Sequence, residues 1–201
     1  MSAATGRLSR YFHTLRHLRP GQIAHQLRRR VFPPRPPRAP PPVTGLRPNL
    51  RHHPFLATPA PADGRISFLN AERALDPASP DWIPADTPKL WRYNLHYFDY
   101  LGWPSVAAAD KAALIDDWIR RVPVGATDAW EPYPISLRVV NWLKYLLARL
   151  AGDVPPAWLG SLAHQAAALE GDVEYHLLAN HLLKNGKALV FAGACLEGGP
   201  A

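Results

Sequence analysis

Glu174-Tyr175-His176-Leu177-Leu178-Ala179-Asn180-His181-Leu182-Leu183-Lys184-Asn185-Gly186 sets amides, imidazoles, a phenol and an ammonium among leucines at helical spacing. An ordinary packing helix carries few such groups. Buried polar groups need partners, and a cavity that binds a polar ligand supplies them. Read as one helix, running from Gly171-Asp172 to about Ala194, the segment puts His176, Asn180 and Lys184 on one face at i, i+4 and i+8. Leu178 and Leu182 lie on another flank, and His181 is turned about 100° from Asn180. An Asn amide can donate to a carboxylate, and a neighbouring His can exchange a proton near neutral pH. Asn180 and His181 are therefore candidate catalytic groups, with Tyr175, His176 and Lys184 as candidate substrate contacts. The competing use is structural: the same two side chains can cap a loop or bond across a helix pair.

Helical stripes also fill the sequence before this segment. Leu114, Ile115, Trp118 and Ile119 share a face, with Ser105 as a plausible N-cap. Ile135, Val139, Leu143, Leu146, Leu147 and Leu150 make a second stripe that ends by Gly152. Pro155-Pro156 opens a third, with Trp158, Leu159, Leu162, Ala166 and Leu169 inward. Short connections between helices of similar length predict antiparallel helical hairpins. No strand alternation is sustained, so the fold class is all-α. The aromatic stretch from Leu90 to Tyr100 reads as core and packing surface, with Asn94 and His96 as its cavity-lining candidates.

The N-terminal third differs in kind. Residues 1–62 hold eleven Arg, no Lys and no acid, although the formal charge of the whole chain is only +7. The rest of the chain carries more acids than bases. Tyr11, Phe12, Leu15 and Leu18, then Ile23 and Leu27, predict a helix over 5–31 that is broken or kinked near Pro20, with Arg28-Arg29-Arg30 at its cation-favouring end. Eleven prolines between Pro33 and Pro61 predict an extended connection. The expected organisation is a basic N-terminal helix (1–31), a Pro-rich linker (32–62) and a helical domain (63–201). The basic arm can meet phosphates or an anionic surface, or pack on the domain through its Arg stems. It lacks the interleaved aromatics of a base-stacking surface, so nucleic acid is not the expected partner.

Several classes find no support. The single cysteine, Cys195, allows no intrachain disulfide. No stretch reaches the roughly 20 apolar residues of a membrane span. No signal peptide is recognisable, which by itself points to the cytoplasm. His176 and His181 are five apart, which spoils a helical metal pair, and His52-His53 has no matching ligands nearby. Phosphate-loop and nucleophile-elbow motifs are absent. No metal or cofactor is expected.

A second constellation is Trp130-Glu131-Pro132-Tyr133-Pro134-Ile135-Ser136-Leu137-Arg138-Val139-Val140-Asn141-Trp142. A Pro-locked aromatic loop leads into a helix. Aromatic faces stack on the C–H patches of sugar rings, Arg pairs with carboxylates, and a helix N-terminus favours anions. Trp130, Tyr133, Arg138 and Asn141 are thus candidate substrate-binding residues. The bland alternative is a tryptophan-rich core corner in which Arg138 bridges Glu131 or another acid.

Taken in order, these pieces resemble the N-terminal region of the heparinase II/III-like polysaccharide lyases. The matching stretches are Tyr11-Phe12-His13-Thr14-Leu15-Arg16-His17-Leu18 with Pro20 and Gln22-Ile23, then Phe68-Leu69-Asn70, Leu90 to Leu101, Trp130 to Trp142, and Glu174 to Gly186. The resemblance implies an incomplete (α/α) toroid, to be followed by further helices and a β-sandwich beyond Ala201. It implies β-elimination on a uronic-acid-containing polysaccharide: heparin-like, alginate-like or a bacterial exopolysaccharide. Asn180 matches the family Asn that neutralises the uronate carboxylate, and His181 the His that often follows it. The base and acid are expected from later sequence, with no cofactor, and the family is usually placed in the periplasm or cell envelope. A non-catalytic acidic-glycan-binding or assembly module is the alternative.

Overall fold

A computed structural model describes residues 17–47, 50, 65–125, 127–149 and 154–198. The piece Tyr11 to Arg16, and the part of the N-terminal helix expected before residue 17, lie outside the described residues, as do His52-His53. The molecule is mostly helical. Helix α1 spans Pro20–Val31, α2 Lys89–Tyr97, α3 Ala108–Arg121, α4 Pro132–Arg149, α5 Pro156–Gly171 and α6 Ala179–Cys195. Residues 17–19 are not helical, so the chain is broken just before Pro20, and Pro20 opens α1, where its missing N–H costs nothing.

The short strands β1 (Gly45–Leu46), β2 (Arg65–Phe68), β3 (Ala71–Ala74) and β4 (Leu196–Glu197) were not expected. β2 and β3 form an antiparallel hairpin, with Phe68 paired to Ala71 across Leu69-Asn70. Both loop residues have positive φ (56° and 61°), the geometry that matches hairpin twist. β1 pairs antiparallel with β4, and Arg47 N–H donates to the Cys195 carbonyl at 2.8 Å. The Pro-rich segment is therefore stitched to the end of α6. It also lies against α5, where the Pro37 carbonyl meets His164 Nε2 at 2.7 Å.

Helix α4 is the hub. It packs on α2, α5 and α6, while α3 packs on α5. Its inward residues Ile135, Val139, Trp142, Leu143 and Leu146 join Leu114, Ile115 and Trp118 of α3 and Trp158, Leu159, Leu162 and Leu169 of α5 in one core. Burying each such side chain contributes about 1.5–3 kcal/mol. Ser105 is not the cap of α3: the N-cap is Ala107, with no side-chain cap bond.

His96 sits inside this core. Its ring stacks on Trp82, and its Nδ1 accepts from Trp118 Nε1 at 3.2 Å, which requires a neutral imidazole. Burial, with Arg138 and Arg92 nearby, pulls its pKa down to about 3. It is a core acceptor, and Asn94 donates to its own helix at the Leu90 carbonyl. Below about pH 6.5 the unfolded chain protonates His96 and the folded chain does not. Stability is thus expected to fall as pH drops from about 6.5 towards 3, by up to about 1.4 kcal/mol per pH unit from this residue. Urea unfolding at a series of pH values measures the slope. In His96→Asn, which does not titrate, that slope should flatten.

Candidate functional site

The segment 172–178 is not the start of a helix. α5 ends at Gly171, and α6 begins only at Ala179. At the junction, Leu178 (φ 57°, ψ −161°) and the first residue of α6, Ala179 (φ 42°), have positive φ, conformations that cost a side-chain-bearing residue on the order of 1–3 kcal/mol. His176 therefore does not share a helix face with Asn180 and Lys184. Sequence periodicity ran through this break because Leu177-Leu178-Ala179 keeps the apolar pattern and holds no glycine.

The break puts Asn180 in the first turn of α6, facing the first turn of α4. Asn180 Nδ2 donates to Tyr133 Oη at 3.0 Å, at the surface. The Tyr133 ring lies 4.4 Å, centroid to centroid, from the His181 ring and edge-on to Tyr97. His181 is 38% exposed, and its Nδ1 meets Glu174 Oε2 at 3.1 Å. An ionised Glu174 only accepts, so Nδ1 then carries the hydrogen and Nε2 is left to exchange a proton. Sequence reading had singled out Asn180, His181 and Tyr133, and the fold brings these three together.

Behind them stands a buried network that the sequence did not flag. Asn185 is fully buried. Its Oδ1 accepts from Glu174 N–H at 2.8 Å, and its Nδ2 donates to Ser136 Oγ at 2.9 Å and to Glu174 Oε2 at 3.2 Å. Ser136 Oγ donates in turn to the Pro132 carbonyl. One amide thus ties α4, the turn and α6 into a fixed arrangement, and positions the carboxylate that holds His181. The available signal was spacing: His181, Asn185, Ala188 and Ala192 recur on one face of α6, so Asn185 points inward with the small residues.

The other candidates have different surroundings. Arg138 has no exposed surface and, among the described residues, bridges no acid. It donates to Gln165 Oε1 at 2.7 Å, the Ala129 carbonyl at 2.9 Å and the His96 carbonyl at 3.1 Å, with its guanidinium over Trp118. Burial draws its pKa down to about 9. Arg138 therefore holds the core together and presents no surface to a substrate. Glu131 instead pairs with Lys89 at 2.6 Å and accepts from Tyr93. Asn141 donates to the Tyr97 carbonyl and Asp99 Oδ1, closing the end of α2 where Phe98 turns left-handed. Trp130 is buried, stacked on Trp118. It borders an open pocket of about 330 Å³ that Pro34 and Pro36 of the Pro-rich segment also line. Tyr175 and His176 face α1, with His176 stacked on His25 and Tyr175 edge-on to it. Lys184 has no hydrogen-bond or ion-pair partner among the described residues.

Among the described residues, no cluster of three or more His, Cys, Asp or Glu could hold a metal ion, and no helix is long and apolar enough to cross a membrane. Searches of protein-family models, curated proteins and solved structures find no match to this chain.

Proposed function

We propose that the Asn180–Tyr133–His181 surface grips the carboxylate of a uronic-acid residue in an acidic polysaccharide, as the substrate side of a β-elimination site. The observation that carries this reading is the exposed amide of Asn180, held by Tyr133 Oη next to a histidine backed by Glu174. Nδ2 has a second hydrogen to give. A donor aimed at a uronate carboxylate stabilises the enolate-like charge that builds when the C5 proton leaves. The Tyr133 ring offers a face for a sugar, and His181 Nε2 can exchange a proton.

The packing supports the toroid that the family resemblance implies. Of the consecutive helices, α4 touches α5 and α5 touches α6. Three helices also meet the one two further on: α2 with α4, α3 with α5, and α4 with α6. Both kinds of neighbour are expected where helical hairpins lie side by side in two layers.

The test compares a uronate oligomer with its methyl ester, in which the same carboxylates are neutral. The chain should bind the acid form more tightly, on the order of tenfold to a hundredfold. Equal affinity for the two forms would remove the reading. An ultraviolet-absorbing unsaturated product marks a lyase. Selective binding of the acid form without that product marks the glycan-binding alternative.

A further inference from the structure

Helix α1 turns its polar side to the protein and its apolar side to solvent. At about 100° per residue, Gln22, His25 and Arg29 lie on one face. That is the docked face: Gln22 Nε2 donates to the His176 carbonyl at 2.8 Å, His25 stacks on His176, and Arg29 pairs with Asp172. Ile23, Leu27 and Val31, at i, i+4 and i+8, lie on the opposite face. Ile23 is half-buried, and no residue of α1 is fully buried. Leu27 is 58% exposed, Val31 67% and the adjoining Phe32 73%. Exposed Arg28 and Arg30 flank this stripe on either side. Surface helices of globular proteins normally point such a stripe inward.

We infer that this face of α1 seats on an anionic lipid surface, with Leu27, Val31 and Phe32 entering the headgroup boundary and Arg28 and Arg30 meeting lipid phosphates. Charge complementarity selects this occupant. Residues 1–62 hold eleven Arg and no acid. A second copy of the same face would set arginines against arginines. A soluble acidic glycan would satisfy the arginines but leave the apolar side chains in water. An interfacial helix needs the two features found here together: an apolar face of a few large side chains and a basic rim. The docked face leaves that arrangement undisturbed, because the contacts to Asp172 and His176 use the other side of the helix.

Co-sedimentation with vesicles tests this. The chain should bind vesicles in which phosphatidylglycerol replaces part of the phosphatidylcholine, and should not bind phosphatidylcholine alone. Arg28→Gln with Arg30→Gln should weaken binding by about fivefold per Arg, so roughly thirtyfold for the pair. Leu27→Gln with Val31→Gln should abolish it, whereas Leu27→Met with Val31→Met should retain it. Leu183→Gln with Val190→Gln, at exposed apolar positions of α6, should change nothing. These side chains are exposed, so helix content by circular dichroism should be constant through the series. Equal binding to both vesicle types overturns the inference, as does undiminished binding by the glutamine pair on α1. Capture of a soluble acidic polysaccharide through the arginines, with vesicles ignored, overturns it as well.

Discussion

Asn180→Ala is expected to weaken uronate-oligomer binding by one to two orders of magnitude while the fold stands. A hydrogen bond to a charged group contributes about 1.5–3 kcal/mol, which sets the size of the loss. The fold survives because Asn180 is exposed and its described side-chain bond goes only to Tyr133. Surface changes of this kind shift stability by about 0.5 kcal/mol or less. Asn180→Asp should be worse than alanine: it keeps the shape but sets a carboxylate against a carboxylate. Tyr133→Phe should cost less, since it removes the group that aims the amide and leaves the amide itself. If elimination occurs, loss of this donor should slow it by roughly 10²–10³, the usual cost of one donor to a developing oxyanion. Titration calorimetry with the three variants gives the order. Parent-like binding by both the alanine and the aspartate variant would sink the assignment of Asn180.

What the sequence disclosed follows from what periodicity can encode. The stripes of α3, α4 and α5 were legible because buried apolar side chains recur every three to four residues. The break before α6 was not, because left-handed backbone at Leu178 and Ala179 is imposed by tertiary contacts; no glycine or asparagine stands there to announce it. The β2–β3 hairpin escaped for a related reason. The four residues of β2 alternate exposed and buried, but four residues are too few to stand out, and Leu69-Asn70 lacks the glycine that usually marks such a loop. Within the site, Asn180, His181 and Tyr133 were visible as polar types in aromatic or apolar company. Asn185, Ser136 and Glu174 were hidden because a buried network is defined by its partners, and those partners lie 11 and 49 residues apart in the chain.

Arg138 shows the converse: a residue whose chemistry suggested a ligand and whose position made it part of the core. It stands three residues after Ile135 and one before Val139, on the side of α4 that faces inward, and that register outweighs its charge. Arg138→Ala should destabilise the protein by about 3–5 kcal/mol, since it leaves a cavity and orphans three acceptors. Arg138→Met should cost less. Methionine fills most of the volume and removes a charge that was expensive to bury, which offsets part of the lost bonding. Arg138→Lys should be more damaging than methionine. It keeps the buried charge, but its compact ammonium cannot replace a planar fork that reaches Gln165, Ala129 and His96 at once while lying on Trp118. Urea unfolding followed by tryptophan fluorescence ranks the three variants, because Trp118 and Trp130 flank the site of change. If lysine proves the mildest substitution, positive charge matters more than the fork. The three-acceptor account of Arg138 then fails.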